Sequence, residues 1–104
     1  MKVQNKYRAQ PVRDDDGYFA SKKEHRHWQT LKLRERAGEI SKLERQVRFH
    51  LEHNGIRICD YVADFVYFEG QRRVVCDVKG FITPDFRLRS RMMKAFLSID
   101  VETV

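Results

Sequence analysis

Asp64, Asp77 and Lys79 are the residues of this chain whose types and spacing best fit a chemical task, because each lies in or beside an apolar run. A carboxylate taken out of water without a partner is strongly destabilising. Two acids in the strings Ala63-Asp64-Phe65 and Cys76-Asp77-Val78 therefore imply something positive between them. A hard divalent cation shared by both carboxylates resolves the conflict. Such a cation would polarise a phosphate and lower the pKa of bound water, while the nearby Lys79 ammonium would stabilise charge developing in the transition state. That combination suits hydrolysis of a phosphodiester. Glu24, further upstream, would add a third acid.

A helix and a hairpin must bring these residues together. Ser21 can cap a helix, Glu24 follows three residues later and Gly38 sits at a C-terminal stop, which predicts a helix over 21–37. At about 100° per residue, Glu24 shares a stripe with Trp28, Leu31 and Glu35, while Lys22, Lys23 and Arg26 lie mostly outside it. Glu24 is thus expected to point toward the core. Its competing role is to close a capping box with Ser21.

Val47, Phe49 and Leu51 alternate with polar residues and read as a strand, and Asn54-Gly55 reads as a turn. The run 56–68, apolar on both faces, predicts a central strand. Glu69-Gly70-Gln71-Arg72 predicts a tight reversal into a strand over 74–78. Thr83-Pro84 opens a helix over 84–96, with Leu88, Met92, Ala95 and Phe96 expected to face the sheet, and Ile99, Val101 and Thr103 make a last strand. The predicted order is α-β-β-β-α-β, an α/β domain over 21–104 with a central mixed sheet flanked by helices. Residues 1–20 read as a basic N-terminal arm that orders on binding and ends in a turn around Asp14-Asp15-Asp16-Gly17.

The reversal also predicts a register. A turn centred on Gly70 and Gln71 pairs residues whose numbers sum to 141, which sets Asp64 opposite Asp77 with Cβ atoms about 4.5–5.5 Å apart and Lys79 on the same face. Cys59 and Cys76 do not satisfy that sum, so they are expected to be small buried thiols in a reducing compartment rather than a disulfide. Their alternative partners are equally absent, because His25, His27, His50 and His53 are scattered by periodicity and fit exposed side chains better than a zinc site.

The formal charge of +6, from 21 Lys and Arg, favours a polyanionic partner. Lys6, Arg8, Arg13, Lys22, Lys23, Arg26, Arg87, Arg89 and Arg91 are the candidate phosphate contacts, with Tyr7, Tyr18 and Phe81 as the aromatics left over from core packing. The same charges could equally form a solvated face. No apolar run has the length of a membrane span and Met1–Lys6 lacks the apolar core of a signal peptide, which predicts a cytoplasmic protein without a membrane partner.

Ala63-Asp64-Phe65, twelve intervening residues and Asp77-Val78-Lys79-Gly80 resemble the signature of the PD-(D/E)xK, restriction-endonuclease-like nucleases, with Ala63 where the superfamily's name has proline. More closely, Ser21-Lys22-Lys23-Glu24, "LKLRERAGEI" over 31–40, "YVADFVY" and "DVKG" look like a family of small phage proteins of unknown function related to Holliday-junction resolvases. The resemblance covers most of the chain from Lys6 onward. It implies a restriction-endonuclease-like core and a Mg²⁺-dependent DNA endonuclease, with Mn²⁺ as a substitute, acting as a homodimer on branched DNA in phage recombination or replication. The setting it implies is the cytoplasm of a bacterial host. In that reading Glu24, Asp64, Asp77 and Lys79 are catalytic; Asp64, Asp77, the Val78 carbonyl and Glu24 hold metal; and Gln46 orients water or phosphate. Duplex nicking or restriction-type cleavage is the nearest rival, and a non-catalytic nucleic-acid-binding module is the rival of another class.

Overall fold

The computed structural model describes residues 10–104. Its chain begins with a small antiparallel hairpin, β1 (Val12–Asp14) and β2 (Gly17–Phe19), in which Val12 pairs with Phe19. This corrects the expectation of an arm through residue 20. Asp14 Oδ1 accepts the Asp16 N–H (2.8 Å) and closes the turn, and Phe19 is wholly buried. The Phe19 ring lies 4.8 Å from the His25 ring and 3.7 Å beneath the Arg45 guanidinium. One aromatic side chain thus ties the hairpin to the domain.

The first helix, α1 (Lys22–Arg36), starts where Ser21 Oγ accepts the Glu24 N–H (3.1 Å). Its inward face carries the buried Glu24 and Leu31, and Trp28 stacks on Phe65 at 5.8 Å and 11°. After Gly38, at φ +80°, the chain enters the long hairpin of β3 (Ser41–His53) and β4 (Ile56–Glu69), followed by β5 (Arg72–Asp77), α2 (Pro84–Leu97) and β6 (Val101–Thr103). The sheet order is β3-β4-β5-β6; the first two pairings are antiparallel and β5 with β6 is parallel. The result is an α/β domain with a mixed sheet flanked by two helices, preceded by a hairpin that the sequence reading lacked.

Apolar residues fill both sides of the sheet. Leu31, Ile40, Phe65, Tyr67, Val74 and Cys76 cluster on the α1 side, and Phe49, Leu51, Tyr61, Ala63, Val66, Val75 and Met93 on the α2 side. The central strand β4 supplies both clusters, which is why its sequence is apolar on both faces. The phase of α2 differs from expectation. Phe86, Met92, Met93 and Phe96 pack inward, whereas Leu88 is 59% exposed and Ala95 also faces solvent. The N-terminal turn sets this rotation, because Thr83 Oγ1 accepts the Phe86 N–H (3.0 Å) and Phe86 packs by Tyr61 (6.3 Å between rings).

Both cysteines are free thiols; Cys76 is buried, with its pKa pushed up to about 12 by desolvation, and Cys59 is only half-buried. His25 and His27 are half-buried rather than exposed: His25 Nε2 lies 2.6 Å from Asp14 Oδ2, and His27 packs on Phe65. Among the described residues no helix is long and apolar enough to cross a membrane.

Candidate metal and phosphate site

The β4–β5 ladder follows the predicted sum of 141 from Glu69↔Arg72 to Phe65↔Cys76 and stops one pair short of Asp64 and Asp77. Side chains replace the backbone rungs beyond that point. The Asp64 N–H donates to Asp77 Oδ1 (3.0 Å), and the Val78 N–H donates to Asp64 Oδ2 (3.0 Å). Meanwhile the Val104 N–H donates to the Asp77 carbonyl (3.0 Å) and the Lys79 N–H to the Val104 carbonyl (3.1 Å). The chain after β5 therefore stays paired with the chain after β6 as it leaves β4, and two carboxylates occupy the opening.

The remaining oxygens of this pair also meet donors. The Tyr61 hydroxyl donates to Asp77 Oδ2, and Gln46 Nε2 donates to Asp64 Oδ1 (3.3 Å). Gln46 reaches Asp64 from a left-handed position on β3, φ +52°. Glu24 does not reach back to close a capping box. Its carboxylate is buried, 5% exposed, with Oε2 3.7 Å from an Arg45 nitrogen. The sequence reading missed Arg45 and Tyr61. Arg45 also donates to the Asp16 and Tyr18 carbonyls (3.0 and 2.6 Å), so it braces the β1–β2 hairpin against Glu24. Its one legible signal was position, immediately before Gln46.

Burial makes this corner hostile to its own charges. Desolvation raises the Glu24 pKa to about 7, with further upward pushes from Asp64 and Asp77 and opposing pulls from Arg45 and Lys79. Asp77 is 2% exposed and its pKa is also raised, by desolvation first, against the Asp64 N–H and Lys79. The Lys79 ammonium stands 4.4 Å from the centre of the Phe86 ring, and its carbonyl accepts from Lys23 Nζ (3.1 Å).

Two clefts meet at Lys79. The larger, 570 Å³, is walled by Lys22, Lys23, Glu24 and Arg26 on one side and by Val78, Lys79, Gly80 and Phe81 on the other. The smaller, 320 Å³, lies toward Arg48, Tyr61 and Arg89. Of the candidate phosphate contacts, Lys22, Lys23 and Arg26 thus line the cleft that holds Glu24. Arg87 and Arg91 border a separate depression beside Phe81 and Leu88. Arg13 lies over the Tyr18 ring at 5.7 Å. Arg89 is committed within the fold: Nη1 donates to the Asp60 carbonyl (2.5 Å) and Nε pairs with Asp85 (3.1 Å). Lys6, Arg8 and Tyr7 lie outside the described residues.

The donor set is chemically suited to a hard cation. Glu24, Asp64 and Asp77 offer only oxygens, each carboxylate oxygen has more than one lone pair, and a cation would offset the desolvation that raises Glu24 and Asp77. As the side chains lie, their bonds go to the protein: among the described residues no three acidic, histidine or cysteine side chains are arranged to hold a metal ion.

A family model, "Protein of unknown function (DUF1064)", matches residues 4–102. The chain belongs to this family. No curated protein and no solved structure matches it. The DUF1064 match spans α1, β3 to β5, α2 and all but the last residue of β6, so it contains every residue of the acid corner.

Proposed function

We propose that this protein is a metal-dependent DNA endonuclease of the PD-(D/E)xK type that cuts branched DNA in the manner of a Holliday-junction resolvase. The observation that carries the reading is the opening of β4 from β5 at Asp64 and Asp77, where the two carboxylates exchange backbone hydrogen bonds two residues before Lys79. That opening sets both carboxylates at the end of the β4–β5 pairing, next to Val78 and Lys79, which line a cleft with Lys22, Lys23 and Arg26.

Asp64 and Asp77 would hold Mg²⁺, or Mn²⁺ in its place, with the Val78 carbonyl and Glu24 completing its surroundings. The ion would supply Lewis-acid polarisation of the scissile phosphate and activation of water. Lys79, held near Phe86, stabilises negative charge on the phosphate in the transition state. Gln46 holds Asp64 in place and offers its amide to water. Lys22, Lys23 and Arg26 bind the flanking phosphates. A homodimer would present two such corners to one branch point, and Ile56 and Ile58, 67% and 54% exposed on the β3–β4 arm, offer apolar surface for a second copy. Such an enzyme would work in the cytoplasm of a bacterial host.

One observation favours a different reading. Every carboxylate oxygen of Asp64 and Asp77 already accepts a bond from the protein, as expected of a structural staple in a non-catalytic nucleic-acid-binding module. Incubation of a four-way junction, a matched linear duplex and single-stranded DNA with Mg²⁺, with EDTA and with the Asp77→Ala variant separates the two. Paired cuts in the junction that need Mg²⁺ and Asp77 are the expected result. Equal cutting of the duplex would keep the nuclease and remove branch specificity; binding without metal-dependent cutting would establish the module.

A further inference from the structure

A second group of charges lies four residues from Asp64 on the same strand. Asp60 receives Arg57 through two bonds (Nε to Oδ1, 3.0 Å; Nη2 to Oδ2, 2.5 Å), Arg48 Nη1 at 2.9 Å and His50 Nδ1 at 2.8 Å. The carboxylate is 16% exposed, whereas the Arg48, His50 and Arg57 side chains are 58%, 52% and 55% exposed. One sheltered anion thus fixes two guanidiniums and an imidazole while most of their donors face water. A guanidinium has five N–H donors; Arg48 uses one of them here and Arg57 two.

Asp60 offsets one of the two arginine charges and Glu52, opposite Arg57 in the β3–β4 ladder, acts on the other, so what the group offers a phosphate is its free guanidinium N–H donors. Arg48 lines the smaller cleft together with Lys79, the residue that also lines the larger cleft beside Lys22, Lys23 and Arg26. Basic side chains therefore continue past Lys79 on both sides, with Asp60 and Asp85 between those of the smaller cleft. A phosphodiester strand whose scissile phosphate sits at Lys79 would find cations upstream and downstream of it.

We infer that Arg48 and Arg57, pre-organised by Asp60, form a second phosphate-binding site that takes the DNA backbone on the far side of the cut from Lys22, Lys23 and Arg26. The inference rests on the nuclease reading for the location of the cut, and it adds the path of the bound strand: from the α1 cleft, past Lys79, into the smaller cleft between Arg48 on β3 and Arg89 on α2. Holding three side chains on one carboxylate lowers the entropy lost when they meet a phosphate, and the fork geometry of arginine matches phosphate oxygens.

The test is binding of a labelled linear duplex and a labelled four-way junction, followed by anisotropy over a range of salt with Ca²⁺ in place of Mg²⁺, for wild type, Arg48→Gln and Arg48→Gln/Arg57→Gln. Each lost phosphate contact should weaken binding severalfold and reduce the slope of log K against log salt by about 0.9. Arg36→Gln, which removes the same charge at the opposite end of α1, should change neither, and Arg48→Lys should restore most of the slope. Affinity and slope unchanged in the double variant, or lowered equally by Arg36→Gln, would overturn the inference. Since binding is read without cleavage, its failure is distinct from that of the nuclease reading, which falls if Asp77→Ala still cuts.

Discussion

Asp60 and Asp77 are carboxylates on neighbouring strands of one sheet, yet their surroundings push them in opposite directions. Asp60 meets Arg57, His50 and Arg48 at the water's edge, and these hydrogen bonds hold its pKa far below the ordinary range. Asp77 is buried with Tyr61 and the Asp64 N–H, and desolvation raises it; Glu24 nearby is raised to about 7. The first acid is satisfied as an anion and serves to hold cations in position. Asp77 and Glu24 carry a desolvation cost as anions despite their polar partners, a cost that a bound cation would offset. A carboxylate's role here follows from its neighbours, since β4 carries one acid of each group only four residues apart.

The contrast breaks most visibly at Asp77. Asp77→Ala should lower Mg²⁺-dependent cleavage by on the order of 10⁴-fold, as read from single-turnover cleavage, whereas Asp60→Asn should retain the chemical step. Next in size is the brace between the hairpin and the acid corner. Phe19→Ala removes a wholly buried ring that seats the Arg45 guanidinium, and should cost about 3–5 kcal/mol in denaturant unfolding.

Glu24→Gln gives a smaller effect of opposite sign. A carboxylate raised in the fold from 4.5 to about 7 favours the protonated native state, so the metal-free protein should lose stability as pH rises through that window. The amide removes that penalty, and the variant should be more stable than wild type by on the order of 1–3 kcal/mol above pH ~7 without metal. The gain should disappear below pH ~4.5, and cleavage should fall. For Asp60 the sign is the reverse: its lowered pKa stabilises the fold above the ordinary Asp value, and that contribution is lost as pH falls through the folded value. Asp60→Asn should therefore show a small deficit near neutrality that shrinks with acid and with added salt, measured by thermal melts.

The residues that met on one strand pair were legible, and those that met across folds were not. The tight reversal at Gly70-Gln71 left one register for β4 and β5, and the observed pairs keep it. The Asp60 group escaped notice because the β3–β4 register is not constant: pairs near the Asn54-Gly55 turn sum to 109, as in His53↔Ile56, and beyond the irregularity at Leu51–Glu52 they sum to 110, as in His50↔Asp60. A single-residue slip moves every side chain to the other face. The β1–β2 hairpin was hidden for another reason. Its strands are three residues long and only Phe19 enters the core, which leaves no periodicity to read. Arg45 and Tyr61 joined the acid corner through tertiary contacts that neither residue's local sequence encodes.

Mg²⁺ titration of thermal stability at pH 8, comparing wild type with Asp77→Asn and Asp60→Asn, tests most directly whether the buried corner is a cation site. A ligand that binds only the folded state stabilises it by about 2.7 kcal/mol at 100 times its Kd. The account predicts a saturable rise in Tm for wild type and Asp60→Asn that is absent in Asp77→Asn. An unchanged Tm in wild type, or an equal rise in Asp77→Asn, would contradict it.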